Sequence, residues 1–372
     1  MTTTTTETPG TPVAGEAQPR PEAGSDGKRG STYERYLASR GTKVLRDGHV
    51  PSLIELELSP TGDGTSAVAV QLPGMEGLSS MEVIELPPGY ETAQRRHLYE
   101  EYVLVLSGQG SVTFHGSEGG QRQLEWRRES VFAIPLNMRF TLRNTGTEPA
   151  RLALINNAHL WMDLLGSTTA AFECELAFAD REAVVLDESI TPGTHQVGRR
   201  TAFRGPVFHD LGTRPLPEHA FIRGPGFGYL LLQLSGGIYG SHVGELPEGH
   251  ISNAHWHMGG AVLIAMAGEG YTQAWPNTAG PQPPDDAVLR QEFRYSGAVS
   301  VGTGWFHLHA NTGRGPLRQV AFRYGGGAGA TFATVQGIDY APGRVVDRED
   351  LSQSILAAYR KQLAQLGIPV AE

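Results

Sequence analysis

A chain of 372 residues, 39% hydrophobic and 19% charged, has the composition of a soluble globular protein with one large core or two smaller ones. Its net charge of −9 argues against general affinity for nucleic acid or an anionic membrane surface. The single cysteine, Cys174, excludes an intrachain disulfide framework and any multi-cysteine metal site.

Residues 1–30, rich in Thr, Pro, Gly and Glu, cannot build a core and are expected to form a disordered tail. They lack the basic and apolar regions of a signal peptide, and no apolar run is long enough to span a membrane, so a cytoplasmic protein is expected. Ser31-Thr32-Tyr33-Glu34 has the form of a capping box and Gly41 that of a stop, which predicts a short helix over 32–40. Short apolar runs between turn residues follow, such as Tyr102–Leu106, Val131–Ile134 and Leu152–Ile155, and they read as strands. This unit spans residues 31–160. Residues 161–225 are less regular and are read as a connecting segment laid over the surface, with a helical turn expected at Leu160–Leu165. A second strand-rich unit covers 226–330, and a tail with an amphipathic helix over Asp350–Leu366, stopped by Gly367 and Pro369, fills 331–372. The 48 glycines and 24 prolines supply the tight turns that an all-β fold needs.

Within the second unit, His255 and His257 are separated by one residue. On an extended segment they share a face and can share a metal ion, and a further nitrogen must come from elsewhere. The stretch Gly302–Asn311, with His307 and His309, is the best source. The spacing around the pair occurs twice. Gly249, His255, His257, Ala261 and Gly268 repeat the intervals of Gly89, Arg95, His97, Glu101 and Gly108, which suggests a duplicated unit. A second pattern also recurs, as Gly302-x-Gly304-x2-His307-x3-Asn311 and Pro135-x-Asn137-x2-Phe140-x3-Asn144.

These four segments resemble the two motifs of the cupin superfamily, G-x5-H-x-H-x3,4-E-x6-G and G-x5-P-x-G-x2-H-x3-N, in the two-domain bicupin form. The resemblance implies an all-β protein of two cupin (double-stranded β-helix, or jelly-roll) barrels, with a short N-terminal helix and a C-terminal helix. It assigns His255, His257 and His307 as metal ligands in the second barrel. Ala261 stands where the family has a glutamate, so the site resembles the three-His iron centres of thiol and β-diketone dioxygenases. In the first barrel Arg95 and Phe140 replace two ligand histidines. That barrel is expected to be metal-free and structural, with His97 and Glu101 paired to each other or to Arg95; the alternative is a carboxylate-binding pocket built on Arg95.

The resulting expectation is a mononuclear Fe(II) dioxygenase, an oxidoreductase acting on a small metal-chelating aromatic, enol or hydroxy-acid substrate together with O2. Mn, Ni, Zn or Cu are alternative metals, because ligand type alone does not choose among them. The alternatives are a metal-dependent isomerase, decarboxylase or lyase that uses no oxygen, and a non-catalytic small-molecule-binding bicupin. His309, outside the metal set, and Tyr271 are candidate catalytic residues. Arg318 and Arg323 have opposite parity, so in an unbroken strand at most one can face into the barrel. No nucleic-acid or membrane partner is expected, and a homo-oligomer is.

Overall fold

In the strand Glu101–Ser107, Val103 and Val105 point to one side of the sheet and Tyr102, Leu104 and Leu106 to the other, and all five are buried. The strand Ala261–Ala267 behaves alike, with Leu263 and Ala265 on one side and Val262, Ile264 and Met266 on the other. A strand buried on both faces needs a continuous apolar run rather than an alternating one. One face closes a barrel, and the other packs against the opposite barrel.

These relations come from a computed structural model that describes residues 30–218, 224–257, 259–324 and 344–371; the predicted disordered tail lies outside the described residues, apart from Gly30. The large sheet of the first barrel runs in the order Val44–Leu45, Ser66–Val70, Ser80–Leu86, Ala150–Asn156, Glu101–Ser107, Val131–Ile134, Val207–Phe208. It faces a small sheet of Gln121–Arg127, Gln109–His115 and Arg139–Asn144. The large sheet of the second barrel runs Gly193–Val197, Arg200–Arg204, Gly228–Gln233, Tyr239–Leu246, Leu317–Tyr324, Ala261–Ala267, Ala298–Val301. Opposite it lie Leu289–Arg294, Glu269–Pro276, Trp305–Asn311, Ala254–His255 and Val345–Val346. The fold is two all-β barrels packed through their large sheets.

The helix Thr32–Arg40 starts where the capping pattern predicts. The Ser31 side chain accepts from the Glu34 backbone N–H, and Gly41 ends the helix in the left-handed region. The C-terminal helix is Gln353–Leu366, and residues Arg348–Asp350 form a separate 3₁₀ turn. It buries Ile355, Leu356, Tyr359 and Leu363 against Tyr271, Trp275, Phe306 and Leu308 on the outside of the second barrel. No described helix is long and apolar enough to cross a membrane.

The connecting segment is more ordered than a connection laid over the surface. The helical turn expected at Leu160–Leu165 is the helix Ala158–Leu165, which leads into the segment; the helices Thr168–Glu173 and Ala179–Leu186 follow, and the chain then joins both large sheets. Arg200–Arg204 lies parallel to Gly228–Gln233, and Val207–Phe208 pairs with Val131–Phe132 of the first barrel. In return the N-terminal segment reaches the second barrel. Val50 exchanges two backbone hydrogen bonds with Ala298, at 2.9 and 2.8 Å.

The paired motifs end in asparagines that do identical work. Asn144 Nδ2 donates to the carbonyls of Leu86, Pro87 and Glu148, and its Oδ1 accepts from Gly146 N–H. Asn311 Nδ2 donates to Leu246, Pro247 and Gly315, and its Oδ1 accepts from Gly313 N–H. Both are fully buried, so removing the side chain leaves backbone groups without partners. Asn144→Ala and Asn311→Ala should each lower stability by about 2–3 kcal/mol in urea denaturation, with no change in far-ultraviolet circular dichroism of the native state.

Candidate metal centre

The two-residue strand Ala254–His255 lies antiparallel to Trp305–Asn311, with His255 directly opposite His307. His257 returns to the same side two residues later, and its carbonyl accepts from Gly304 N–H at 3.0 Å. The three imidazoles converge. One nitrogen from each lies within 4.8 Å of the other two, and the residues are only 6%, 5% and 2% exposed. Ring centroids are 4.3 Å apart for His255–His307 and 4.9 Å for His257–His307. His307 Nδ1 sits 3.0 Å from Trp305 O, which can only accept, so Nδ1 carries the proton and Nε2 keeps its lone pair. Three such nitrogens suit a first-row transition cation, and among the described residues no other group of three ligand-type side chains converges in this way.

Ala261 is opposite Val301 in the large sheet and places only a methyl where a carboxylate would stand. His309 shares the face of His307, with ring centroids 5.8 Å apart, and its Nδ1 lies 2.9 Å from Thr272 Oγ1. The side chains of His309 and Thr272 therefore meet on the barrel interior.

Tyr271 does not join them. It is paired with Ala310, one residue out of phase with the Thr272–His309 pair, and so faces the other side of the sheet. There it packs under the C-terminal helix with Arg290 over its ring at 3.7 Å. Burial pushes its phenol up to about 12, Arg290 working against that rise and Glu292 with it. This corrects its assignment as a candidate catalytic residue, because the sheet itself separates it from the histidines.

The two arginines are now distinguished. Arg318 lies on the face of Val320 and Phe322, toward the other barrel. It donates to Glu245 at 2.8 Å and to the carbonyls of Leu211 and Arg214 at 3.1 and 2.7 Å. Arg323 lies opposite Gly240, on the face of Ala321 and hence of the second barrel's interior. It follows Phe322, whose partner is Val262, and this register sets it beside Ala261. Arg323 is 7% exposed. His242 and Tyr229 also face inward and stack at 4.7 Å, with the Arg200 guanidinium 5.8 Å from the Tyr229 ring. His242 carries no mark of the inner side in the sequence, because Val243 on the opposite face of the same strand is equally buried.

The first barrel carries no such trio. His97 Nδ1 is 2.9 Å from Tyr99 O, and Nε2 is 3.5 Å from Glu101 Oε1. Arg95 turns away to Asp63 at 2.8 Å, and the Phe140 ring meets His97 edge-on at 5.6 Å. Of the two expected neighbours, Glu101 is the one that lies beside His97, while Arg95 is taken up by Asp63.

Residues 82–156 match the cupin domain family. The chain has the fold of a two-domain cupin. Similar solved structures include a two-residue deletion mutant of Bacillus subtilis oxalate decarboxylase, at 14% identity and a TM-score of 0.50, covering 75% of this chain and 77% of that one. A single-substitution variant of the same enzyme gives 14% and 0.50, covering 82% and 89%. An oxalate decarboxylase described for its substrate binding mode and reaction specificity switch gives 13% and 0.51, covering 85% and 84%. No curated protein sequence matches the chain. The bicupin likeness therefore rests on fold, and the family match falls on the barrel without the histidine trio.

Metal analysis of the purified, untagged bicupin should find one divalent transition ion per chain. His255→Ala, His257→Ala and His307→Ala should each reduce it to a small fraction, whereas Tyr271→Phe should leave it unchanged.

Proposed function

We propose that this bicupin is a metal-dependent enzyme acting on a small carboxylic acid, and that it releases CO2 without consuming oxygen. The carrying observation is the buried Arg323, which faces the barrel interior beside Ala261, on the sheet that faces the three histidines. A guanidinium in that position matches a carboxylate in two parallel hydrogen bonds. The similar oxalate decarboxylases support the same reading over the dioxygenase expected from the three-His pattern.

His255, His257 and His307 would hold the ion, which supplies Lewis acidity toward a substrate oxygen. Its identity among Fe, Mn, Ni, Zn and Cu is open to all three neutral ligands alike. Arg323 orients the carboxylate, and the buried apolar walls, among them Leu263 and Val301, exclude water. Loss of CO2 breaks one C–C bond and leaves its electron pair on the retained carbon. His309, fixed through Nδ1 by Thr272, donates the proton that this carbon takes up and regains one from solvent. The products are CO2 and the protonated remainder.

Ala261 supports a second reading. Three histidines with no carboxylate beside them would leave a bound ion room for dioxygen together with a bidentate substrate.

The first substrate to test is oxalate, under strictly anaerobic conditions, with CO2 and formate measured. Turnover without oxygen is expected, with Arg323→Gln lowering kcat/KM about 10–100-fold. His309→Gln should keep the metal and lose kcat. Oxygen uptake stoichiometric with product, and no anaerobic turnover of oxalate or other small carboxylic acids, would favour the dioxygenase instead.

A further inference from the structure

The first barrel has lost its metal ligands but not its interior space. A cavity of about 470 Å³ opens among Glu82, Glu101, His97, Tyr99, Phe140 and Arg139, within the usual range for small-molecule sites. A barrel kept only as a scaffold would close this volume with apolar side chains, because buried polar groups are costly unless they are bonded. Here the floor is polar. Glu101 is 4% exposed, with Oε2 accepting from Asn156 Nδ2 at 2.9 Å. His97 is 5% exposed and has Nδ1 committed to the Tyr99 carbonyl, so in the neutral ring its Nε2 is an acceptor. That Nε2 has no hydrogen-bond partner, and Glu101 Oε1 lies 3.5 Å from it. Two acceptors side by side on a cavity floor call for one donor between them.

The walls and rim have different chemistry. Tyr99 stacks on His97 at 3.8 Å, and Phe172 and Tyr36 close the other side with their rings 5.2 Å apart. The roof is the helix Thr32–Arg40, held by Asp163 Oδ1, which accepts from Ser31 Oγ and Tyr33 N–H at 3.0 Å each. Of the arginines that line the cavity, Arg40 pairs with Glu82, Arg95 with Asp63 and Arg96 with Glu175. Arg139 makes no ion pair among the described residues.

We propose that this cavity binds a small organic acid, with a hydroxyl or ammonium group donating to Glu101 and His97, an apolar body between the aromatic rings, and a carboxylate at Arg139. The site is independent of the metal and of the reaction assigned to the second barrel.

The test uses the full-length protein and 4-hydroxyphenylacetate as probe, followed by calorimetry and ligand-observed NMR. Binding is expected in the wild type and, unchanged, in the His255→Ala/His257→Ala double variant. It should weaken at least about tenfold in Glu101→Gln and in Arg139→Gln, whose thermal midpoints verify that they fold. Phenylacetate, which lacks the donor, and 4-hydroxyphenethyl alcohol, which lacks the carboxylate, should bind at least about tenfold more weakly than the probe. No binding by the wild type at millimolar probe, loss of binding in the double histidine variant, or equal binding of phenylacetate would overturn the proposal.

Discussion

The apolar layer between the two large sheets is the constraint on which the rest of the molecule depends. Tyr102, Leu104 and Leu106 of one barrel and Leu232, Val243, Val320 and Phe322 of the other form one continuous buried cluster. The Tyr102 ring meets Tyr239 at 6.2 Å and Phe322 at 5.6 Å. Each of these strands must also fill its own barrel with its remaining side chains. A shift of one residue would exchange the two apolar sets and bring the interior groups into the interface. Register is thereby fixed in the strands that carry Glu101, Ala261 and Arg323. At the edge of this layer a buried carboxylate joins the barrels directly. Glu100 accepts from the backbone N–H groups of Tyr239 and Ile238 at 2.8 and 3.2 Å. Burial raises the carboxyl above its ordinary range, and these bonds work against that rise.

On this shared frame the two barrels keep the same skeleton and differ in chemistry. Asn144 and Asn311 tie the same three carbonyls in each. Gly108 and Gly268 close each first motif with φ of 86° and 77°, and at Gly268 a Cβ would come within 2.4 Å of the Pro316 carbonyl. The positions between them have diverged. Three histidines gather in the second barrel, while in the first a phenylalanine and an arginine paired with Asp63 leave His97 and Glu101 beside a cavity. Backbone requirements outlast ligand requirements here because changing a staple affects the whole barrel, whereas changing a ligand alters only what is bound.

The duplicated motif, the two barrels, both terminal helices and the convergence of His255, His257 and His307 were readable in the residues. The helices, the strand-rich units and the His255/His257 pair rest on capping patterns, spacing and period-two geometry, whereas the barrels and the place of His307 among the ligands came from the resemblance to the cupin motifs. Other features needed the register. Arg318 and Arg323 lie in a strand buried on both faces, so no polar alternation marks the inner side, and only pairing with Gly240 and Glu245 separates them. Tyr271 read as a barrel residue because it lies in a strand-like run of the second unit, yet the residue of that strand opposite His309 is Thr272. The strand Arg200–Arg204 was missed because it is short, carries two arginines, and is held by a parallel neighbour rather than by an apolar pattern of its own.

The reciprocal exchange of strands between the barrels has a consequence for the order of events as the chain is made. Val50 finds its partner only after Ala298 has left the ribosome, and Val131 of the first barrel's sheet waits for Phe208. The first barrel therefore emerges with an uncovered apolar face and an open sheet edge. It must remain in that state while more than half of the chain is still to come, and contacts so distant in sequence are slow to form. Nascent chains arrested between the two barrels would be the species most in need of a chaperone.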